Sequence, residues 1–125
     1  MHQPLRINTK LMCKLMRAIE PKRSAEYLDN RISLFSAQWG KCAITGREFE
    51  TTAEIHCHHK IPRELGGKDE YSNLVLVHEN VHRLIHAKTE ATMQKYLAKL
   101  NLTQKQLNKV NKLREMAKLS EIEEP

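Results

Sequence analysis

The sequence predicts an α+β domain, and two observations support this prediction. Apolar residues recur three or four apart in both terminal thirds of the chain, which is typical of amphipathic helices. Between them, residues 53–59 and 74–77 have the pattern of short strands, separated by a polar loop that contains Pro62 and the pair Gly66-Gly67. We therefore expect a small two-stranded unit enclosed by helices.

The composition favours a nucleic-acid partner. The chain has a formal net charge of +6 with neutral histidines, and a basic balance attracts polyanions, although solubility alone is an alternative explanation. The cysteines Cys13, Cys42 and Cys57 have no regular spacing, which argues against a disulfide framework and fits a reducing compartment. No apolar segment is long enough to span a bilayer, so we expect a cytoplasmic, intracellular protein with no membrane partner.

Two helices are expected before the first strand. The first begins at Thr9, and Pro21 stops it. The second has Ser24 as its N-cap and Gly40 as its C-cap. Trp39, in the last turn of this second helix, is expected in the core.

Three helices are expected after the second strand. The first two cover residues 79–88 and 89–100, and the third follows Thr103, which forms a capping box with Gln106. The polar side of the last helix is expected to carry its basic residues, Lys105, Lys109, Lys112, Arg114 and Lys118, with a place for Arg114 on the apolar side, instead of Leu113, as the alternative.

The histidines of the central stretch suggest a metal site. His82 and His86 lie four apart on a helix, so one cation can reach both rings, whereas His78 and His86 would be about 12 Å apart along the axis and cannot share an ion. The ligating pair is therefore either 78/82 or 82/86. A strand that ends at His58 and His59 brings a further ring toward the helix.

Strand alternation gives these two neighbouring histidines different roles. His58 lies on one face with His56, and His59 lies on the other face with Cys57. Three imidazoles that include His58 would leave open positions on the ion, which is typical of a catalytic site, and a neutral imidazole nearby can take a proton from water. The alternative is an ordinary polar strand end.

The run HCHHKIPRELGGKDEYSNLVLVHENVHRLIHA, residues 56–87, resembles the ββα-metal (His-Me finger) motif of HNH endonucleases. Together with FSAQWGKCAITG, residues 35–46, it is similar to the C-terminal endonuclease domain of group II intron reverse transcriptase–maturases. The resemblance covers roughly residues 24–115. We expect a helical extension over residues 1–23, the ββα-metal core over residues 24–88, C-terminal helices over residues 89–119 and a loose acidic tail over residues 120–125.

The resemblance implies a role for each matched position. His58, His82 and His86 match the metal ligands, His59 matches the general base, and Asn73 matches the residue that ties the loop and fixes that base. The implied reaction is hydrolysis of a DNA phosphodiester to a 5′-phosphate and a 3′-hydroxyl. Basic residues around the proposed site are expected to contact phosphates; they are Lys60, Arg63, Lys68, Arg83 and Lys88.

The chain departs from many HNH domains at the two CxxC pairs that bind a structural zinc. The corresponding positions hold Cys42 with Thr45 and His78 with Val81, so we expect no structural zinc and favour the pair 82/86 as ligands. Three imidazoles suit Zn²⁺, Ni²⁺, Co²⁺ or Mn²⁺, whereas the family implies Mg²⁺ or Mn²⁺ in function.

The sequence leaves more than one hypothesis for the function, and they belong to different classes of protein. The first is a metal-dependent DNA endonuclease that acts on double-stranded DNA, either cutting the second strand for a mobile intron or as a free-standing relative; its further partners would be intron RNA or the rest of a maturase. The alternative is a non-catalytic, metal-stabilised module that binds nucleic acid. A protein-interaction domain built on the terminal helices is a further rival.

Overall fold

A computed structural model describes residues 6–123. In this part of the chain, two strands form a hairpin among five α-helices, and this architecture agrees with the predicted α+β class. The elements are α1 (Thr9–Arg17), α2 (Ala25–Ala37), β1 (Ile55–His59), β2 (Leu74–His78), α3 (Glu79–His86), α4 (Glu90–Leu100) and α5 (Gln104–Met116). Short 3₁₀ turns cover Thr52–Glu54, Arg63–Leu65 and Tyr71–Asn73. Within residues 6–123, no helix combines the length and the apolar character needed to cross a membrane.

The helix starts follow the local sequence signals. The Ser24 side chain accepts a hydrogen bond from the Tyr27 N–H and so caps α2. Thr103 and Gln106 form the predicted capping box at the start of α5. Both predictions are confirmed because a cap needs only a side-chain oxygen within reach of the first N–H groups of the helix.

The first helix ends earlier than expected. α1 stops at Arg17, before Pro21, and a side chain from α2 caps its C-terminal end. The buried side chain of Arg31 donates hydrogen bonds to the carbonyls of Leu15 and Ala18, at 2.9 and 2.8 Å. A cation at a helix C-terminus also interacts favourably with the helix dipole.

The expectation that Trp39 lies in the core is wrong. α2 ends at Ala37, and the chain then turns through left-handed conformations at Trp39 (φ 55°) and Gly40 (φ 65°). This turn leaves 46% of Trp39 exposed, while the Phe35 ring fills the core. A Cβ at Gly40 would stand 3.0 Å from the Phe35 ring, so the lack of a side chain at Gly40 gives this ring its space.

The two strands pair antiparallel, with Ile55 opposite His78 and His59 opposite Leu74. β1 starts at Ile55 rather than residue 53, because residues 52–54 form a 3₁₀ turn. Alternation along β1 holds as predicted. His59 stacks on Tyr27 of α2, whereas the neighbouring His58 points to the opposite face, toward α3.

Helix α3 is held against the hairpin by apolar packing. Val81, Leu84 and Ile85 are fully buried on one face of the helix and belong to the same apolar cluster as Val77 of β2, a strand that α3 contacts. Burying each such side chain contributes roughly 1.5–3 kcal/mol. This packing fixes the rotation of α3 and thereby directs the adjoining face of the helix toward β1.

Arg114 lies in the core and not on the polar side of α5, and it is buried together with Leu113 rather than in its place. Its side chain is 1% exposed and donates to the carbonyls of Leu84, Ile85 and Ala87 at 3.1, 3.0 and 2.7 Å. A further bond of 2.7 Å reaches the Ser120 carbonyl. The last carbonyls of a helix have no partner within it, and Arg114 supplies one for the end of α3.

The tail is anchored as far as residue 123, unlike the loose segment expected from residue 120. Ile122 is 4% exposed, and its N–H and carbonyl both bond the Asn111 side chain, at 2.7 and 2.9 Å. The remaining two tail residues, 124–125, and residues 1–5 of the expected N-terminal extension lie outside the described part of the chain. The buried residues of α1 and α5 belong to the same apolar cluster as those of the hairpin.

Candidate metal centre and catalytic cleft

Three imidazole rings converge where β1 lies against α3. One ring nitrogen from each of His58, His82 and His86 lies within 4.8 Å of the others. The Nε2 atoms of His82 and His86 are 3.1 Å apart, with the two rings nearly perpendicular. In residues 6–123 no other group of three His, Cys, Asp or Glu side chains has this proximity.

The electrostatics keep these rings neutral. Burial, followed by the neighbouring His82, lowers the pKa of His58 to about 3. Burial and then His86 lower the pKa of His82 to about 4, and burial also lowers the pKa of His86. Neutral imidazole nitrogens are the form that binds a cation, so the three rings can bind an ion without first losing protons.

An unsatisfied atom supports a cation at this position. His58 is 1% exposed, and its Nε2 has no hydrogen-bond partner in the described protein. Buried polar atoms almost always have a partner. A cation held by the three rings would supply the partner that this nitrogen lacks. The donor set therefore fits a divalent metal ion with affinity for nitrogen.

His78 does not share this position, although it continues the four-residue series. Its Nδ1 accepts a hydrogen bond of 3.0 Å from the Asn80 N–H and so caps α3, while its Nε2 lies 3.9 Å from a Glu54 carboxylate oxygen. Of the two possible helical pairs, the geometry brings together His82 and His86.

His59 has a different environment on the other face of β1. Its Nε2 lies 2.7 Å from a carboxylate oxygen of Asp69, and its ring stacks on Tyr27 at 5.7 Å between centroids. Asp69 also accepts a 2.6 Å bond from the Ser24 hydroxyl, and the Ser24 bond and then the His59 bond lower its pKa. A carboxylate accepts from an N–H, so neutral His59 carries its proton on Nε2 and has a free lone pair on Nδ1.

Asp69 was not anticipated as part of the site. In the sequence it follows Lys68 in a polar loop, ten residues after His59, where an Asp is a common turn residue. Only the folded loop brings its carboxylate back to the imidazole.

Asn73 closes the loop between the strands. Its side chain is buried; the Oδ1 accepts from the Ile61 N–H at 2.9 Å, and the Nδ2 donates to the carbonyls of Ile61 and Lys68, at 3.0 Å each. Its backbone carbonyl accepts from the Lys60 N–H at 2.8 Å. Asn73 thus ties the chain immediately after His59 to the segment that carries Asp69.

A cleft of about 190 Å³ gives access to these rings. Its walls include His58, His59, His82 and His86 together with Arg63, one of the basic residues expected to contact phosphate. Arg23 also lines the cleft, and its guanidinium lies 4.6 Å from the centroid of the Tyr27 ring. Arg23 was not among the basic residues expected at the site, because nothing in its local sequence points to this cleft.

The other basic residues expected near the site lie around it. Lys60, Arg83 and Lys88 are each close enough to lower the pKa of a neighbouring histidine, namely His58, His82 and His86 in that order. Lys68 is exposed on the loop that Asn73 ties.

The two buried cysteines, Cys42 and Cys57, have different surroundings. The pKa of Cys57 is raised to about 11, chiefly by burial, so its thiol stays protonated. The Cys42 sulfur accepts a 3.3 Å hydrogen bond from the His78 N–H. Val81, which stands where many HNH domains have a zinc-binding cysteine, is fully buried in the core.

Comparison with known proteins gives one match. Residues 42–88 match the family model described as HNH endonuclease, and this region contains β1, β2, α3 and the four histidines of the cleft. Neither the curated proteins nor the solved structures gave a significant match. The HNH match suggests nuclease activity, and HNH nucleases act on DNA.

Proposed function

We propose that this chain is a metal-dependent DNA endonuclease whose ββα-metal core consists of β1, β2 and α3. The supporting observation is the convergence of three imidazoles beside a fourth that is held separately by a carboxylate. The reaction is hydrolysis of a phosphodiester, leaving a 5′-phosphate and a 3′-hydroxyl.

His58, His82 and His86 hold the ion in this proposal. A divalent metal bound there supplies electrostatic stabilisation for the charge that develops on the phosphate and the departing 3′ oxygen. The ligand set suits Zn²⁺, Ni²⁺, Co²⁺ or Mn²⁺, and Mg²⁺ would depend on oxygen ligands from phosphate and water.

His59 acts as the general base. Its free Nδ1 takes the proton from the attacking water, while Asp69 holds the Nε2–H and stabilises the imidazolium that forms. Stacking on Tyr27 fixes the ring plane. Asn73 contributes by holding the loop, so that Asp69 stays within reach of the base.

Arg23 and Arg63 bind phosphate oxygens of the cleaved strand. Both line the cleft of the four histidines, and both also line an adjoining cavity of about 610 Å³. A guanidinium that lies over an aromatic ring still has N–H groups free at its edge, and these can donate to phosphate oxygens. Lys60, Lys68, Arg83 and Lys88 provide further contacts to the backbone around the cleft.

A narrower biological role rests on the likeness of residues 35–46 and 56–87 to group II intron maturases. In that setting the domain cuts the second DNA strand of an insertion site, with intron RNA or the rest of a maturase as partners. A free-standing nuclease with the same chemistry is the alternative setting.

Nicking of supercoiled plasmid DNA tests the nuclease proposal. The wild-type chain should nick in the presence of Mg²⁺, Mn²⁺, Co²⁺, Ni²⁺ or Zn²⁺ and lose activity with EDTA. His59→Ala should lose at least about 100-fold in rate, the size of a general-base contribution. His78→Asn is the matched control, because asparagine keeps the cap of α3 and the residue is outside the cleft.

Two results would contradict the proposal. One is equal nicking by the wild type and His59→Ala, which would point to a contaminating nuclease. The other is metal and DNA binding without cleavage under any of these ions, which would indicate the non-catalytic binding module instead.

A further inference from the structure

A fourth histidine, His56, contacts the proposed metal centre without joining it. His56 precedes His58 by two residues on β1, so both rings project toward α3. The Nδ1 atoms of His56 and His82 lie 2.9 Å apart, with ring centroids 5.0 Å apart. The other nitrogen of His82, Nε2, faces His86.

We propose that His56 is the hydrogen-bond acceptor that fixes the tautomer and ring orientation of the metal ligand His82. This inference rests on the metal site of the proposed nuclease. It assigns His56 as a positioning residue, which acts through His82 and does not touch the ion.

Proton counting gives the direction of this bond. Two Nδ1 atoms can share a hydrogen bond only when one of them carries the proton. A neutral His82 that offers the Nε2 lone pair to a metal carries its proton on Nδ1, so His82 donates and His56 accepts. The reverse direction would put a proton on His82 Nε2, the nitrogen that faces His86, and would block ligation.

The geometry also separates His56 from the ligand set. The three rings whose nitrogens lie within 4.8 Å of one another are His58, His82 and His86. His56 contacts His82 through Nδ1, on the side of that ring away from His86. Pairing of His56 with Val77 in the hairpin fixes its backbone and therefore the position of the acceptor.

Metal affinity is the direct test, because it does not depend on cleavage. The metal-free protein, residues 1–125, is titrated with Co²⁺ and Zn²⁺ by calorimetry and by competition with a chromophoric chelator. The variants are His56→Ala, which removes the acceptor, and His56→Asn, whose side-chain oxygen occupies nearly the position of Nδ1. His78→Asn serves as the control, and thermal unfolding monitors the fold of each variant.

We expect His56→Ala to bind one ion per chain about 10- to 100-fold more weakly than the wild type, the usual effect of losing an outer hydrogen-bond partner of a ligand. His56→Asn should recover most of that affinity, and His78→Asn should bind like the wild type. The Co²⁺ absorption bands should keep their wavelength in His56→Ala, because its ligands are unchanged.

Three results would overturn the role of His56. They are wild-type affinity in His56→Ala, complete loss of the Co²⁺ bands in His56→Ala, which would make it a ligand, and affinity in a folded His56→Asn as weak as in His56→Ala. A wild-type chain that binds no divalent ion would remove the metal site itself. The expected affinity pattern without nicking would contradict only the nuclease.

Discussion

At the scale of single residues, the four histidines of the cleft differ in the groups that they contact. His58, His82 and His86 face one another, whereas His59 has a carboxylate oxygen at 2.7 Å. Adjacent positions on one strand thus acquire different chemistry. The strand alternation that separates them follows from the sequence, but the carboxylate depends on the folded loop.

Asp69→Asn should reduce the catalytic rate while leaving DNA binding intact. A neutral amide cannot stabilise the imidazolium that forms when His59 takes a proton, so kcat should fall by about 10- to 100-fold with little change in KM. Single-turnover cleavage measures this. In the control Ser24→Gly, Asp69 loses its hydroxyl partner and keeps His59, and a glycine cap costs only a few tenths of a kcal/mol. An unchanged kcat in Asp69→Asn would remove Asp69 from the mechanism.

At the scale of elements, two connections hold the site together. The loop between the strands is tied by Asn73, and α3 is tied at its C-terminus by Arg114. One connection sets the position of His59, the proposed base, and the other sets the position of His86, a proposed metal ligand. Each can be disturbed separately.

Gly67→Ala should disturb the loop and spare the metal ligands. An added Cβ would overlap the Ile61 carbonyl oxygen and stand 2.9 Å from the Asn73 Nδ2, so the stem of the loop must move. Cleavage should fall at least about 10-fold, with metal affinity close to that of the wild type. Gly46→Ala is the control: it has a positive φ of 72° but open space, so it should lose only about 1 kcal/mol of stability and keep its activity. Full activity in Gly67→Ala would show that the loop geometry is not needed.

Arg114→Leu should destabilise the fold by roughly 3 kcal/mol or more, because it leaves several carbonyls at the end of α3 unpaired in the core. Urea unfolding measures the change, and the exposed neighbour Lys112→Leu should stay within about 0.5 kcal/mol of the wild type. Equal stability of the two variants would contradict the capping role.

At the scale of the whole molecule, the lowered pKa values of His58 and His82 make the metal-free fold sensitive to acid. Their pKa values are lowered in the folded state, to about 3 for His58 and about 4 for His82, whereas unfolded histidines titrate near 6.5. The unfolded chain therefore binds more protons below that pH, so stability is complete above about 6.5 and declines as the pH falls toward 4.

Thermal unfolding of the metal-free protein should show this decline between pH 6.5 and 5, where carboxylates are still ionised. His82→Gln should unfold with a smaller pH dependence, since it removes one of the responsible groups. A saturating divalent ion should raise the Tm most at the upper end of this range, because protons compete with the metal for the rings. A Tm that stays constant from pH 7 to 5 would contradict neutral, buried rings.

Signals that act over a few residues were readable from the sequence. The caps at Ser24 and Thr103 and the strand alternation at His58 and His59 depend on neighbours three positions away or fewer. The ligand set came from the helical spacing of His82 and His86 combined with a family resemblance. Contacts between residues far apart in the chain could not be read from the sequence, because no periodicity marks them. Asp69 lies 10 positions from His59, Arg114 lies 30 positions from Leu84, and His56 lies 26 positions from His82.

The anchoring of α3 by Arg114 has a consequence for biosynthesis. A helix of eight residues is too short to persist in water on its own, so α3 gains its shape from contacts with the hairpin and with α5. A nascent chain on the ribosome carries all four cleft histidines well before position 114 emerges. Until then the four histidines are present, but the helix that carries His82 and His86 lacks the contact that fixes its end.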